Sequence, residues 1–318
     1  YASTTKTINF GQDSSFSGAK PTSNANADGN GHGSFAYAPP SGFLALCSQN
    51  LPDITIGPGQ GEQASDNFNT AIWTGNNANN RAIAVGFQPD FSWTQTRTQY
   101  GNGSELFDSV RGAGKSLKSE TNAAEVTNKS SGYIGAFTST GFTTADGSSS
   151  NASINYNDGG GQSYVAWNWK AGGTASSNSD GSITSSVSAN TGAGFSIVSW
   201  TGTGSNATVG HGLGVAPSLI INKPRAIADN WISWAAKLGT TGYIYLNLNN
   251  AAATGAAVWN STVPTTSVFS VGTSSNANPS SGTMISYCFA NIEGYSKVGS
   301  YTGNGNNDGP FVFTGFRP

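Results

Sequence analysis

Charge is what this 318-residue chain has least of: Asp, Glu, Lys and Arg together make up 9% of it, against about 25% in a typical soluble domain. The net charge is −2 and the 14 Lys and Arg are scattered. No basic stripe tracks a phosphate backbone, so nucleic acid is not an expected partner. Histidine is nearly absent, with only His32 and His211. A three-histidine zinc site is therefore excluded, and a serine nucleophile has only two histidines to draw on as a base. Two cysteines, Cys47 and Cys288, stand far apart in apolar contexts. A disulfide framework needs more of them at closer spacing, so both are read as buried free thiols, as in a protein made in a reducing cytoplasm and released later. No apolar run approaches the roughly 20 residues of a membrane helix, and membrane insertion is not expected. No signal peptide is visible. With Tyr1 first and Met284 the only methionine, the chain reads as a processed product or a part of a longer protein.

What the chain does have is glycine, 43 residues of it, and 11% aromatics. That aromatic content argues against disorder, because disordered chains lack the apolar bulk that offsets ordering entropy. Ser, Thr, Asn and Gly fill the polar positions, which suits flat β-faces and an extracellular setting. One phrase is written three times: Ile72-Trp73-Thr74-Gly75-Asn76, Ser199-Trp200-Thr201-Gly202-Thr203 and Ser300-Tyr301-Thr302-Gly303-Asn304. Each is followed by a second landmark ending at Pro89, Pro217 or Pro318, which lies 16, 17 and 17 residues after the aromatic. Arg97 and Arg225 each follow their proline by 8. Paired landmarks at fixed offset mean duplicated structural units, and they predict a modular, elongated protein.

Short alternating runs bounded by Gly and Asn predict strands throughout. The clearest is Ser163 to Lys170, where Tyr164, Ala166, Asn168 and Lys170 alternate with Ser163, Val165, Trp167 and Trp169. No stretch keeps a 3.6-residue apolar period. The fold class expected is all-β: tandem antiparallel β-sandwich modules, jelly-roll or lectin-like. The expected divisions are 1–51, the end of a truncated domain that includes a strand at Thr7 to Gly11; 52–66, a linker; 67–171, a first sandwich repeat; 172–191, a connector that lies along the sheet; 192–291, a second repeat; and 292–318, the start of an incomplete third. The third copy offers two short strands, Gly299 to Tyr301 and Phe311 to Thr314, which cannot stand alone but can add to another sheet.

Motifs that carry chemistry are weak. Glycoside hydrolysis needs two facing carboxylates, and Glu105 with Asp108 and Glu120 with Glu125 are the pairs to examine. All four read first as solvated surface. His211 and His32 read first as loop residues. The stretch Asn24 to Gly31 resembles a calcium loop but lacks spaced carboxylates and a bidentate Glu. Gly112-Ala113-Gly114-Lys115-Ser116 ends like a P-loop, but Ser109 stands where its first glycine belongs. Neither a metal nor a cofactor is expected. Trp73, Trp93, Trp167, Trp169 and Trp200 fall at or near repeated positions and read as core. Trp231, Trp234 and Trp259 are less tied to the repeat. They are the candidate surface-binding residues, since rigid amphipathic rings suit sugars and protein interfaces.

Val165 to Gly173, Phe195 to Gly202, Val209 to Pro217, and Glu293-Gly294-Tyr295-Ser296-Lys297 through Gly315 to Pro318 together resemble the tail-fibre and virion structural proteins of bacteriophages, especially marine ones. Ile8 to Gln12, Ala38 to Phe43 and Asn50 to Pro52 resemble the end of the SPRY-like, concanavalin-like domain upstream in such proteins. The resemblance implies a virion protein, synthesised in the host cytoplasm and working outside the cell, without an active site to carry over. It implies self-association, with a trimer expected, contact with other virion proteins, and adhesion to a host surface glycan. Alternatives are a capsid decoration or extracellular filament protein, or a polysaccharide-degrading enzyme.

Overall fold

A computed structural model describes residues 10–16, 18, 25–51, 54–57, 59–98, 103–148 and 157–316. The strand expected at Thr7 to Gly11 lies largely outside these residues, as does the end of the third landmark at Arg317 and Pro318. The chain divides into two compact units, Tyr1–Ile54 and Thr55–Pro318.

The first unit has little regular structure, and Asp28 organises it. The Asp28 carboxylate accepts hydrogen bonds from the amides of Asn30 and His32 (both 2.9 Å), the amide of Ala45 (2.7 Å) and Asn50 Nδ2 (2.6 Å). The short apolar pieces Ser34 to Ala38 and Phe43 to Cys47 are loops, apart from one antiparallel bridge between Asn26 and Phe35. Cys47 is half-buried rather than buried, and both cysteines are free.

The second unit is all-β. Its first half holds β1 (Phe68–Thr74), β2 (Ala82–Ala84), β3 (Phe91–Thr96), β4 (Ser104–Asp108), β5 (Lys115–Lys118), β6 (Val126–Thr127), β7 (Tyr133–Thr138), β8 (Gly141–Ala145) and β9 (Ser163–Trp169). Its second half holds β10 (Ser176–Asn178), β11 (Ser185–Asn190), β12 (Phe195–Thr201), β13 (Ala207–Gly210), β14 (Leu219–Pro224), β15 (Ile232–Ala235), β16 (Gly242–Tyr245), β17 (Ala253–Thr254), a one-turn helix α1 (Ala256–Trp259), β18 (Val268–Val271) and β19 (Thr283–Phe289). The large sheet of the first half runs β1-β9-β3-β4-β5-β6, and that of the second repeats the order as β12-β19-β14-β15-β16-β17, extended by β11 and β10 beyond β12. Register repeats too. Phe68 pairs with Trp169 and Trp73 with Tyr164, as Phe195 pairs with Phe289 and Trp200 with Met284. A small sheet faces each large one: β2-β8-β7 in the first half and β13-β18 in the second.

The strands form where side chains alternate between two apolar environments, as the two-residue period of a strand requires. Trp73, Tyr164, Phe107 and Ala166 turn inward and pack on Ile83, Ile134 and Phe142 of the small sheet. In the second half Val198, Trp200, Ile220 and Met284 meet Val209, Phe269 and Val271 in the same way. The opposite faces of the two large sheets are apolar as well, and they close on each other. Phe91, Leu106 and Leu117 share one core with Phe195, Ile197, Ile221, Trp231, Ile285 and Tyr287. Four layers therefore stack as small, large, large, small. The expectation of modules strung out for length gives way to two halves joined through a common hydrophobic layer. The third copy is also corrected, since neither Gly299–Tyr301 nor Phe311–Thr314 forms a strand, and Tyr301 is 71% and Phe311 90% exposed.

The repeated Thr-Gly now has a cause. A Cβ on Gly75 would lie 1.8 Å from the Asp158 carbonyl oxygen, and one on Gly202 would lie 2.1 Å from that of Pro279. In each half the glycine lets the turn before the closing strand press against the end of the opening strand. A buried asparagine locks that turn. Asn157 Nδ2 donates to Asn76 Oδ1 and the Ala78 carbonyl, as Asn278 Nδ2 donates to Thr203 Oγ1 and the Ser205 carbonyl.

Candidate functional site

Two features mark the seam between the halves, an aromatic cavity at one end and a buried ion network along it. The cavity, about 250 Å³, is lined by Phe68, Trp169, Phe195, Phe289, Tyr295 and Phe316, together with Ser296 and Lys297. Phe68 and Phe195 hold the same position of the repeat, as do Trp169 and Phe289. Their rings form a continuous cluster: Phe68 to Trp169 at 4.9 Å, Trp169 to Phe289 at 6.1 Å and Phe195 to Phe289 at 4.8 Å between centroids. Phe91 extends it inward, 4.4 Å from Tyr287. Burial pushes the Tyr295 phenol up to about 12, helped by the negative charge of Glu62, so this hydroxyl stays protonated. A largely apolar, aromatic cavity with a few polar groups in its lining suits a flat ring, apolar or sugar.

The ion network begins at Asp108 on β4. Its carboxylate accepts from Arg111 Nε, from the Arg111 amide at 2.7 Å and, across the seam, from the Tyr287 hydroxyl at 2.7 Å. Arg111 also reaches Glu125 at 3.1 Å. Glu125 takes a bidentate pair from Arg225 of the second half, at 2.9 Å on each oxygen. Burial alone would raise the Glu125 pKa, but the hydrogen bonds and charges of Arg225 and Arg111 outweigh it and hold the carboxyl below its usual value. Burial drives Tyr287 well above its usual value. The arginine landmark keeps its backbone place in both halves, since the Arg97 amide donates to Ser163 and the Arg225 amide to Thr283. Only in the second half does its guanidinium bridge the halves.

The carboxylates singled out from the sequence are thus occupied rather than facing each other. Glu105 pairs with Lys129, Asp108 and Glu125 share Arg111, and Glu120 accepts from the Ser104 amide and sits 3.8 Å from Lys118. Glu105, Asp108 and Glu125 are not the solvated surface groups expected: Glu105 and Asp108 are buried, and the Glu125 side chain is only 12% exposed. His211 is buried. Its Nδ1 accepts from the Leu213 amide and its Nε2 lies 3.2 Å from the Thr265 carbonyl, which places the ring proton on Nε2. Desolvation holds its pKa below the usual value. Asp28, the acid of the calcium-like stretch, has its oxygens filled by N–H donors. Among the described residues no group of three His, Cys, Asp or Glu side chains stands close enough to hold a metal ion. Gly112 to Gly114 lie in the hairpin turn between β4 and β5, and Lys115 and Ser116 open β5.

The surface role expected of Trp231, Trp234 and Trp259 is corrected, because all three are buried. Trp231 belongs to the seam, where its Nε1 donates to the Lys118 carbonyl of the other half at 2.8 Å. Trp234 and Trp259 belong to the inner core of the second half, and Trp234 Nε1 donates to the Gly239 carbonyl at 2.8 Å. Sequence reasoning missed the seam, Asn157 and Asn278, and Lys223. Lys223 is a fully buried lysine whose ammonium donates to the carbonyls of Pro224 (2.6 Å) and Ile227 (3.3 Å). Burial lowers its pKa to about 8 against the pull of Asp229 and Glu125. The signal for the asparagines was present: each precedes its closing strand by five or six residues.

Fold and seam together define a class: an all-β protein of two sandwich halves with one strand order, joined through a shared core. The chain belongs to the family described as Domain of unknown function (DUF7483), whose model matches residues 63–318, spanning both halves and the segment after them. Neither a curated protein nor a solved structure matches it.

Proposed function

We propose that this chain is a structural and adhesive component of a bacteriophage particle, part of a tail fibre or similar appendage that self-associates and meets the host surface. The observation that carries the mechanical half of this reading is the duplication of one strand order and one turn code in a single body, sealed by a buried aromatic layer. Such a body resists local opening, because its core strands are buried on both faces. The resemblance of its phrases to phage virion proteins supplies the setting. The scarcity of charge and the aromatic cavity at the seam support a role in contact with neutral glycan, where stacking rather than charge gives affinity. Many such contacts on one oligomer raise avidity without strong single sites.

The test has two arms. Gold-labelled antibody against the chain is expected to decorate the fibres of purified particles, and particles that carry no label overturn the assignment. Fluorescent protein is expected to bind susceptible cells and to be competed off by their purified surface polysaccharide. Shortening of that polysaccharide by the protein would overturn the adhesive role in favour of an enzyme.

A further inference from the structure

Among the described residues no strand pairs with the outer side of β1. The amide of Lys170 bonds the carbonyl of Asn67 and the amide of Gly75 bonds that of Gln162, so the odd residues of β1 face β9. The backbone groups of Phe68, Thr70, Ile72 and Thr74 point the other way. Of these, the Thr70 amide is held by its own neighbour, Asn69 Oδ1, at 2.9 Å, and the Thr74 carbonyl by Arg81. Among the described residues no hydrogen bond reaches the outward amide or carbonyl of Ile72. Its side chain is 62% exposed.

The molecule itself shows how such an edge is normally filled. In the second half the equivalent strand, β12, is covered along this side by β11, antiparallel, with Ser186 opposite Ser199 and Asn190 opposite Phe195. In the first half the chain before β1 does not run back as a strand. It closes a tight loop between Gly57 and Glu62 and a 3-10 turn at Ala64–Asp66.

Exposed edges in natural proteins are usually blunted by charge, proline, a bulge or shortness. Within its own seven residues β1 has none of these, and Arg81 takes only the Thr74 carbonyl at its end. It is seven residues long, uncharged, free of proline and paired with β9 without a bulge. The other edge strands among the described residues are shorter or bulged: β6 and β17 have two residues, β2 and β10 three, and β13 and β18 four. β7 is bulged between Ile134 and Ala136, and its Ile134 carbonyl is taken by Gly114.

We propose that β1 pairs antiparallel with β1 of a second copy of this chain, joining two large sheets into one across a two-fold axis. This deepens the self-associating role proposed above and rests on it. A partner strand must bring a free edge of its own, and among the described strands of this length only β1 has one. The pairing is self-complementary because the strand carries no charge to oppose itself, and the same patch serves both partners, as a two-fold interface requires. Ile72 then lies against Thr70 or Ile72 of the other copy, a β-branched cross-strand pair of the kind that stabilises sheets.

The test is sedimentation of the full 318-residue chain over a concentration series, with no particle or host present, so its result is independent of the labelling experiment. A dimer is expected. Ile72→Lys and Thr70→Pro should each weaken it at least tenfold, because the lysine sets like charges against each other across the axis and the proline removes an outward N–H that bonds only Asn69 Oδ1 among the described residues. Hydrogen exchange supplies the second readout. The amides of Ile72 and Thr74 should exchange slowly in the dimer and fast in both variants. Those of Ala71 and Trp73, bonded to β9, should stay protected in all three, showing that the fold is intact. A monomer at every concentration, a trimer, or a dimer whose Ile72 amide exchanges freely overturns the proposal.

Discussion

At the residue scale, Glu125 and Lys223 hold charge inside a protein that has little of it. Glu125 is the joint of the seam: it neutralises Arg111 of its own half and Arg225 of the other. Removing one partner of a buried pair leaves the other charge uncompensated and costs about 3–5 kcal/mol. Glu125→Ala should therefore lower the unfolding free energy by about 3 kcal/mol, read from urea melts at pH 7. Its folded pKa lies below the unfolded one, so the stability it contributes is complete above the usual carboxylate range. That contribution fades as the pH falls through the folded pKa, and the wild type should lose more stability on acidification than Glu125→Ala does. Lys223 gives the same sign for a different reason, since burial disfavours its charged form. Its folded pKa of about 8 lies below the ordinary 10.5, so between these values the unfolded chain binds more protons and stability rises with pH. In Lys223→Met that rise should be missing, which parallel denaturant melts from pH 7.5 to 10.5 will show. Equal slopes in the two proteins would place the titration elsewhere. Neither residue was legible beforehand: a lone Lys or Glu in a strand-rich sequence reads as solvated surface, and only the partner brought to Glu125 from 100 residues away along the chain and the layers that bury Lys223 reveal otherwise.

At the scale of elements, the sequence was legible wherever a strand alternates and a turn is marked by glycine. β9 is where its period-2 pattern puts it. The repeated Trp-Thr-Gly phrase marks the end of the opening strand in both halves, because the glycine is needed for the close approach of the next turn. The third phrase shows the limit of such reading. Tyr301-Thr302-Gly303 carries the same letters, yet nothing lies within 4 Å of the place a Gly303 Cβ would occupy. The phrase makes a strand only where an asparagine turn and a closing strand come to meet it, and those are non-local. Trp231, Trp234 and Trp259 failed for the same reason: a tryptophan outside the repeat looks exposed until the layer that covers it is known. The layer covering Trp231 is the aromatic seam, and β3 is the element that ties it together through Phe91, 5.2 Å from Trp169, 5.9 Å from Phe195 and 4.4 Å from Tyr287. Phe91→Ala should cost about 3–5 kcal/mol. Since the ring touches both halves, thermal unfolding followed by tryptophan fluorescence should stay a single transition at a lower midpoint. Two separated transitions in the variant would mean that the halves are held together by something other than this layer.

At the scale of the whole unit, duplication and independence are different things. The repeat offsets led to an expectation of modules on a string, and the strand order does recur. Yet the second face of each large sheet is apolar too, a fact hidden in the sequence because its rings alternate with Ser, Thr and Asn that are themselves buried, as in Phe91-Ser92-Trp93-Thr94. Separated at the 172–191 segment, the second half would turn Phe195, Ile197, Ile221, Trp231, Ile285 and Tyr287 of that shared layer toward water. Each such side chain contributes roughly 1.5–3 kcal/mol by its burial, so exposing them together costs on the order of 10 kcal/mol, the size of the whole stability of an ordinary domain. Residues 172–291 produced alone should therefore bind the dye ANS and show no cooperative melt. Co-expression with residues 55–171 should restore a single sharp transition and withdraw the dye. The two pieces should copurify, and Glu125→Ala in the first piece should weaken their association. A fragment of residues 172–291 that melts cooperatively as a monomer near the midpoint of the full chain would show that each half carries a sufficient core of its own, and that the aromatic seam is a contact between finished domains rather than a layer both need in order to fold.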